Sequence, residues 1–511
     1  MESRNSTRIA KNTIFLYIRM LILMLVSLYT SRVVLETLGV EDYGIYNVVG
    51  GIVVLFTFIN NAMVTSTQRY LNYEIGRNDF DSTQKVFSIS LNIHIFIALL
   101  IIILSETIGL WFLNNTIQYP DSRETAVQAI YQLSVLTTCV KIIRAPYNAA
   151  IIAYERMSFY AYLSIFEAVL QLTIVYLLKV FTFDRLVMYG ILLLGVAVIV
   201  NICYYVYCRT NFAICKYVIT TDRILYKQLL SFSGWSLFGG VANVGASQGL
   251  NMILNAFFGV TVNAAMGIAN QVNTAVSCFV TSFQTAFNPQ IVKSYASGDK
   301  SYFINLIIST SKYSYLLLFV IALPIYICCP EILAIWLTEV PEHAISFCRL
   351  MLIFSLLDAL QGPLWFSVQA TGQIKTYQIL MSIMILANLP IAYICLRFGL
   401  SPSSVLVVRC IINFITLFVR LWYLRRLYGF PIRRFVSEVI LRIAPVTILS
   451  SLLYFAPFNE VNSPIFRVFV VTIISLVINS ILIISFGLNN SERNLISTKF
   501  RNAYEKCKRN C

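Results

Sequence analysis

Charge is scarce in this chain: Asp, Glu, Lys and Arg make up only 12% of its 511 residues, roughly half the share of a soluble domain. That scarcity excludes an ordinary soluble enzyme. Histidine is scarcer still, with His94 and His343 the only two. Neither a GxxxxGK phosphate loop nor an HExxH zinc motif is present, so nothing supports ATP hydrolysis or zinc chemistry, and no cofactor or metal is expected. Long soluble insertions are missing as well. The longest loop expected on the outer side, near Leu113 to Glu124, is too short to hold a catalytic domain. The polar–apolar alternation of an outer-membrane barrel is also absent.

What the chain has in abundance is apolar surface, at 58% hydrophobic residues and a mean hydropathy of +0.75. Its apolar segments repeatedly exceed the ~18–20 residues that cross a bilayer as helix, and helices are the open-chain solution in lipid. Fourteen spans are expected, at roughly 12–36, 43–72, 84–112, 125–154, 158–181, 186–208, 229–257, 262–292, 304–328, 344–370, 376–397, 402–427, 435–456 and 464–487. The first is too long for a signal-peptide core and has no small-residue cleavage site after it, so it is read as a retained span. Twelve cysteines, most of them inside apolar spans, are expected to be free thiols.

The net charge of +15 does not mark a nucleic-acid partner, because the cations lie in short loops and a tail rather than on one soluble face. It follows topology. The N-terminus, the loops from even to odd spans and the tail hold 23 Lys and Arg, whereas the opposite loops hold six, outnumbered there by acids. Both termini are therefore expected to be cytoplasmic.

A repeat organises the spans. Leu38 to Asp79 is answered by Phe258 to Asp299 without a gap, each copy opened by a Gly-Val turn (Gly39-Val40, Gly259-Val260) and closed by Asn78-Asp79 or Gly298-Asp299. Glu106 to Trp111 similarly answers Glu331 to Trp336, and Pro146, Ala153 and Tyr160 answer Pro363, Ala370 and Tyr377. This predicts a six-helix lobe over 1–215, a second over 216–430, additional helices 13 and 14 over 431–490, and a basic cytoplasmic tail over 491–511. A parallel six-plus-six repeat places a pseudo-twofold axis along the membrane normal, with a central cavity between rocking lobes.

Charge inside a span costs about 2.5–3.5 kcal/mol at a helix centre and is normally paired or set in a cavity. Arg19 lies about two turns into span 1, and Lys141 and Arg144 share one face near the middle of span 4. The repeat puts Asp358 at the position equivalent to Lys141. The functional reading makes Arg19, Lys141 and Arg144 a cationic cavity for pyrophosphate, with Asp358 as the counter-charge that substrate displaces. The structural reading makes Lys141 and Asp358 an ion pair, or lets each reach toward headgroups. Arg69, Glu74, Lys312, Arg349, Arg420 and Arg442 lie nearer span ends, where snorkelling is expected. Arg409 and Glu167 are deeper and have no partner evident from sequence. Pro146 and Pro363 are candidate joints, and Gly239 and Gly240 candidate gate or close-packing positions.

These residues resemble the polysaccharide transporters of the MOP superfamily, the Wzx-like flippases of lipid-linked oligosaccharide. The resemblance is carried by Leu38-Gly39-x-x-x-Tyr43-Gly44-Ile45-Tyr46, Gln68-Arg69-Tyr70 followed by Gly76, Asn148-x-x-x-Ile152-Ala153 before Glu155-Arg156, and Asn263 to Asn270 opening span 8. It implies an all-α, MATE-like protein of the bacterial cytoplasmic (inner) membrane. Its cargo would be an undecaprenyl-pyrophosphate-linked glycan, moved from inner to outer leaflet for O-antigen, capsule or exopolysaccharide synthesis. The implied partners are that polyprenyl-linked glycan, membrane lipids, and glycan polymerase and chain-length proteins. A cation-coupled drug or metabolite antiporter of the same superfamily is the alternative, and it would be expected to carry an acidic residue where this chain has Arg19. A membrane glycan polymerase or an assembly scaffold is the second alternative. A polymerase would need a substantial outer loop that this chain lacks.

Overall fold

The computed structural model describes residues 12–26, 29–30, 33–34, 36–39, 42, 45–46, 49, 58–116, 120–178, 184–337, 339–456, 463–489 and 492–493. Most of the predicted basic tail, and Tyr43 and Gly44 of the motif after span 1, lie outside them. Among the described residues there are helices and no strands, and ten helices are long and apolar enough to cross a membrane. The protein is an all-α, multi-pass membrane fold. The ten free cysteines among the described residues include six that are buried.

The helices follow the hydropathy runs closely. In order they are α1 (Asn12–Val26), α2 (Phe58–Gly76), α3 (Phe80–Asn115), α4 (Glu124–Ala153), α5 (Met157–Leu177), α6 (Arg185–Asn211), α7 (Arg223–Ala296) and α8 (Lys300–Ile327). There follow α9 (Cys329–Trp336), α10 (Ala344–Thr371), α11 (Lys375–Arg397), α12 (Ser404–Tyr428), α13 (Ile432–Phe455) and α14 (Pro464–Gly487). Helix α7 covers two predicted spans in one run of 74 residues. A straight helix of that length would reach ~110 Å, several times a bilayer core. Gly259 interrupts it, at φ 76° and ψ −164°, a conformation open to glycine and closed to other residues.

The backbone repeats the sequence repeat. Gly39 and Gly259 both have positive φ (81° and 76°), as do Asn78 and Gly298 (57° and 77°) and Glu155 and Gly372 (57° and 78°). Asp79 then caps α3, accepting from the Ser82 amide at 3.0 Å.

Two compact units emerge. One comprises Met1–Val241, Thr285–Asp299 and Gln369–Gln378, and the other Ala242–Gln284, Lys300–Val368 and Ile379–Cys511. Within the first, α4 packs against α2, α3, α5 and α6. Its buried face includes Val127, Ile130, Tyr131, Ile142 and Ala149. The Tyr131 hydroxyl donates to the Ser105 carbonyl at 2.7 Å, where α3 widens into a π turn over Ser105–Gly109. Gly109 makes room for that hydroxyl, since a methyl group there would collide with it. The second unit has its core where Leu254, Met266, Ala269, Phe347, Met351, Leu396 and Val405 meet. Lipid offers no hydrophobic drive to helix association, so such contacts stabilise through close packing and polar pairs.

Two predicted snorkelling cations are in fact buried and paired. Arg69 donates to the carbonyls of Gln369 (3.1 Å) and Ala370 (3.0 Å). Its guanidinium carbon lies 4.4 Å from the Tyr70 ring and 4.6 Å from the Tyr73 ring. Lys312 is 1% exposed and bonds both Glu492 oxygens, at 2.9 and 2.6 Å. Span-end position left both free to turn inward, and the available acceptors decided that they do.

Candidate functional site

The site is built from α1, α4, α5 and α6 of the first unit. On α1, Arg19 and Leu23 are four residues apart and share a face. On α4, Arg144 and Asn148 do the same, on either side of Pro146, whose ring removes the backbone bond to the fourth residue before it. Helix α5 supplies Tyr160, Ser164, Glu167 and Gln171, a polar stripe at helical spacing. Together with Tyr204 of α6, these residues enclose a cavity of about 220 Å³.

Its electrostatics are cationic with one internal counter-charge. Arg144 Nη1 lies 3.1 Å from Glu167 Oε2, and the Arg144 guanidinium carbon 5.2 Å from the Tyr204 ring centroid. Arg19 sits 4.4 Å over the Tyr160 ring and has no carboxylate partner among the described residues. Its Nε is buried without a hydrogen-bond acceptor, and so is Asn148 Oδ1 without a donor. A buried donor left unmade is costly unless a water or ligand completes it. Two guanidinium groups and one carboxylate leave a formal charge of +1, so the cavity can take an anion, with planar forks suited to phosphate oxygens.

Arg19 and Arg144 are thus brought together. Lys141, one turn before Arg144, is not on the wall and makes no ion pair among the described residues, but the charges of Glu167 and Arg144 both act on its ammonium. The carboxylate in this cavity is Glu167, 23 residues from Arg144 in sequence. Asp358 belongs to the second unit, on α10, where Arg420 and Arg409 of α12 are the cations that act on it. Arg409 also stacks 4.1 Å over Phe354, and Arg420 donates to the Gln361 carbonyl at 2.9 Å. The α5 stripe was visible in sequence as polar residues spaced four, three and four apart. Only its apolar context concealed it.

Pro363 of α10 has a visible structural role. The carbonyl it frees, that of Ala359, accepts from Gln284 Nε2 at 3.4 Å. Gly362 leaves space for that side chain, which a methyl group would meet at 2.3 Å. Gly239 likewise faces Gln378 closely, whereas Gly240 faces open space. His94 is fully buried with Nδ1 2.7 Å from the Ser90 carbonyl.

No protein-family model matches the sequence, and no curated protein does. Solved structures do. A multidrug resistance MATE family transporter of the MOP superfamily, in an outward-facing conformation, superposes with TM-score 0.72 at 14% identity, over 83% of this chain and 95% of that one. A MOP superfamily transporter from Pyrococcus furiosus Vc1, described by the reverse polarity of its binding pocket, gives 0.70 at 15% identity over 83% and 95%. A MATE protein in its straight conformation gives 0.69 at 16% identity over 83% and 96%. The chain therefore has the fold of the MATE transporters of the MOP superfamily.

Proposed function

We propose that this protein is a transporter that carries the anionic head of a polyprenyl-pyrophosphate-linked glycan across the membrane by alternating access. The observation that carries the reading is that Arg19 and Arg144 share one cavity whose single carboxylate, Glu167, pairs with Arg144. A cavity of 220 Å³ corresponds to the liquid volume of about seven waters. That suits a pyrophosphate group, with the glycan outside it and the polyprenyl tail in lipid. Glu167 holds Arg144 in place between cycles and yields it when phosphate oxygens arrive. An inside-negative potential favours outward movement of an anion by about 2.3 kcal/mol per charge per 100 mV, so export needs no ATP. The comparison with the Pyrococcus furiosus protein supports the reading by analogy, since its pocket is described as reversed in polarity.

The test is sidedness. In cells lacking the gene, labelled lipid-linked glycan should accumulate protected from glycosidase added to intact spheroplasts. Wild-type protein and Lys141→Ala should restore exposure, whereas Arg19→Ala and Arg144→Ala at normal expression should reduce it by about tenfold or more, the weight of one charge-assisted contact. Equal exposure with and without the protein sinks the flippase reading and turns attention to cation-coupled drug efflux.

A further inference from the structure

A second cavity, within the second unit, uses none of the residues above. It has a volume of about 530 Å³, and Tyr326, His343, Ser346, Arg349, Leu350 and Ile353 are on its wall. It lies where α8 ends and α10 begins, on the face that loop charge assigns to the outside. Arg349 is the charged residue on this wall, and it does not reach freely into solvent. Nε donates to the Tyr326 carbonyl at 3.1 Å, Nη1 lies 3.5 Å from the Tyr454 hydroxyl, and the guanidinium carbon is 5.3 Å from the centroids of both tyrosine rings. Among the described residues Nη2 has no acceptor and no carboxylate pairs with Arg349. Glu331 is taken by Arg467, and Glu342 stands 3.6 Å from His343 Nε2.

Depth is marked by aromatics. Trp336, Tyr454 and Phe455 are all exposed at the ends of α9 and α13, as side chains are at a membrane–water interface. The first turn of α10 is at the wall through Ser346, whose hydroxyl donates to the His343 carbonyl at 2.8 Å, and the start of a helix favours negative charge. A fixed fork with one open donor at headgroup depth matches a phosphate ester. The volume falls in the range of small-ligand sites and exceeds what a lone phosphate fills.

We infer that this cavity binds the phosphate-bearing headgroup of a net-anionic lipid at the outer face, with Arg349 as its charge-bearing contact. The lipid is either a bilayer phospholipid or a polyprenyl phosphate. The site shares no residue with the transport cavity, so lipid binding here survives a negative sidedness assay. Purified full-length protein in detergent would be titrated, under native mass spectrometry, with dioleoyl-phosphatidylglycerol, undecaprenyl phosphate and zwitterionic dioleoyl-phosphatidylcholine. Arg349→Gln should weaken one of the two anionic lipids by about tenfold or more, with phosphatidylcholine unchanged. Loss confined to phosphatidylglycerol assigns a bilayer lipid, and loss confined to undecaprenyl phosphate assigns the carrier. Ile353→Trp, which fills the cavity and keeps Arg349, serves as the second variant should Arg349→Gln fail to fold. Unchanged affinity of both anionic lipids in the variant that folds, or no preference of wild type for either over phosphatidylcholine, overturns the site.

Discussion

At the scale of single residues, buried charge here is governed by where its partner comes from. Glu155, at positive φ between α4 and α5, accepts from Gln290 Nε2 at 2.7 and 2.8 Å and from Lys293 at 2.7 Å. Glu492 does the same for Lys312. Burial raises the Glu492 pKa, but the Lys312 ammonium, the Asn489 amide and the Tyr313 hydroxyl together hold it below the ordinary 4.5. A depressed folded pKa means that the pair stabilises fully above the ordinary carboxylate range and that this is lost as pH falls through the folded value. Glu492→Gln should therefore cost about 3–5 kcal/mol at neutral pH, the usual cost of orphaning a buried partner. The gap in apparent melting temperature between wild type and variant should hold from pH 8 to 5, begin to narrow near the ordinary carboxylate pKa and go on narrowing as pH falls toward the depressed folded value. A gap that persists at low pH would mean the carboxylate's charge is not what matters.

At the scale of elements, hydropathy located many of the described helices to within a few residues, as with 186–208 against Arg185–Asn211, but not the short α9 or the continuity of α7 across two expected spans. Composition alone sets which stretches favour lipid, so this much was legible. Partners were not. Arg144 and Glu167, Asp358 with Arg409 and Arg420, and Lys312 with Glu492 are joined by how helices rotate and pack, which no single-helix periodicity encodes. The prolines split in the same way: the backbone bond lost before Pro363 could be read from sequence, but Gln284 filling the gap could not. Helix proximity also separates glycines that look alike in sequence. At Gly76 a methyl group would come within 2.8 Å of the Lys293 backbone, while at Gly240 it would meet nothing within 4 Å. Gly76→Ala should lower stability by about 1–3 kcal/mol, as overpacking does, and Gly240→Ala should leave it unchanged in a thermal melt of detergent-purified protein. Equal melts for both would show that the Gly76 contact is easily relieved.

At the scale of the whole molecule, loop charge makes a statement about sides that the structure gives a handle to test. Arg123 is ion-paired with Asp42 and Asp184, so three segments predicted to be outside are drawn together at one end of the first unit. On a cysteine-free background, Ser122→Cys should react with a membrane-impermeant maleimide in intact cells, and Gly298→Cys should react only after lysis. The reverse pattern would invert the topology and, with it, the face assigned to Arg349.

The bond between Lys312 and Glu492 also has a temporal side. The two residues are separated by 180 positions, and ribosomes add about 5–20 residues per second. For roughly 10–40 s after its helix is made, the lysine has no carboxylate to meet. Nascent protein must spend that interval with an uncompensated cation near the lipid, open to insertion chaperones and to quality-control proteases. Glu492, beyond the end of the last long helix, rather than that helix itself, is what supplies the partner.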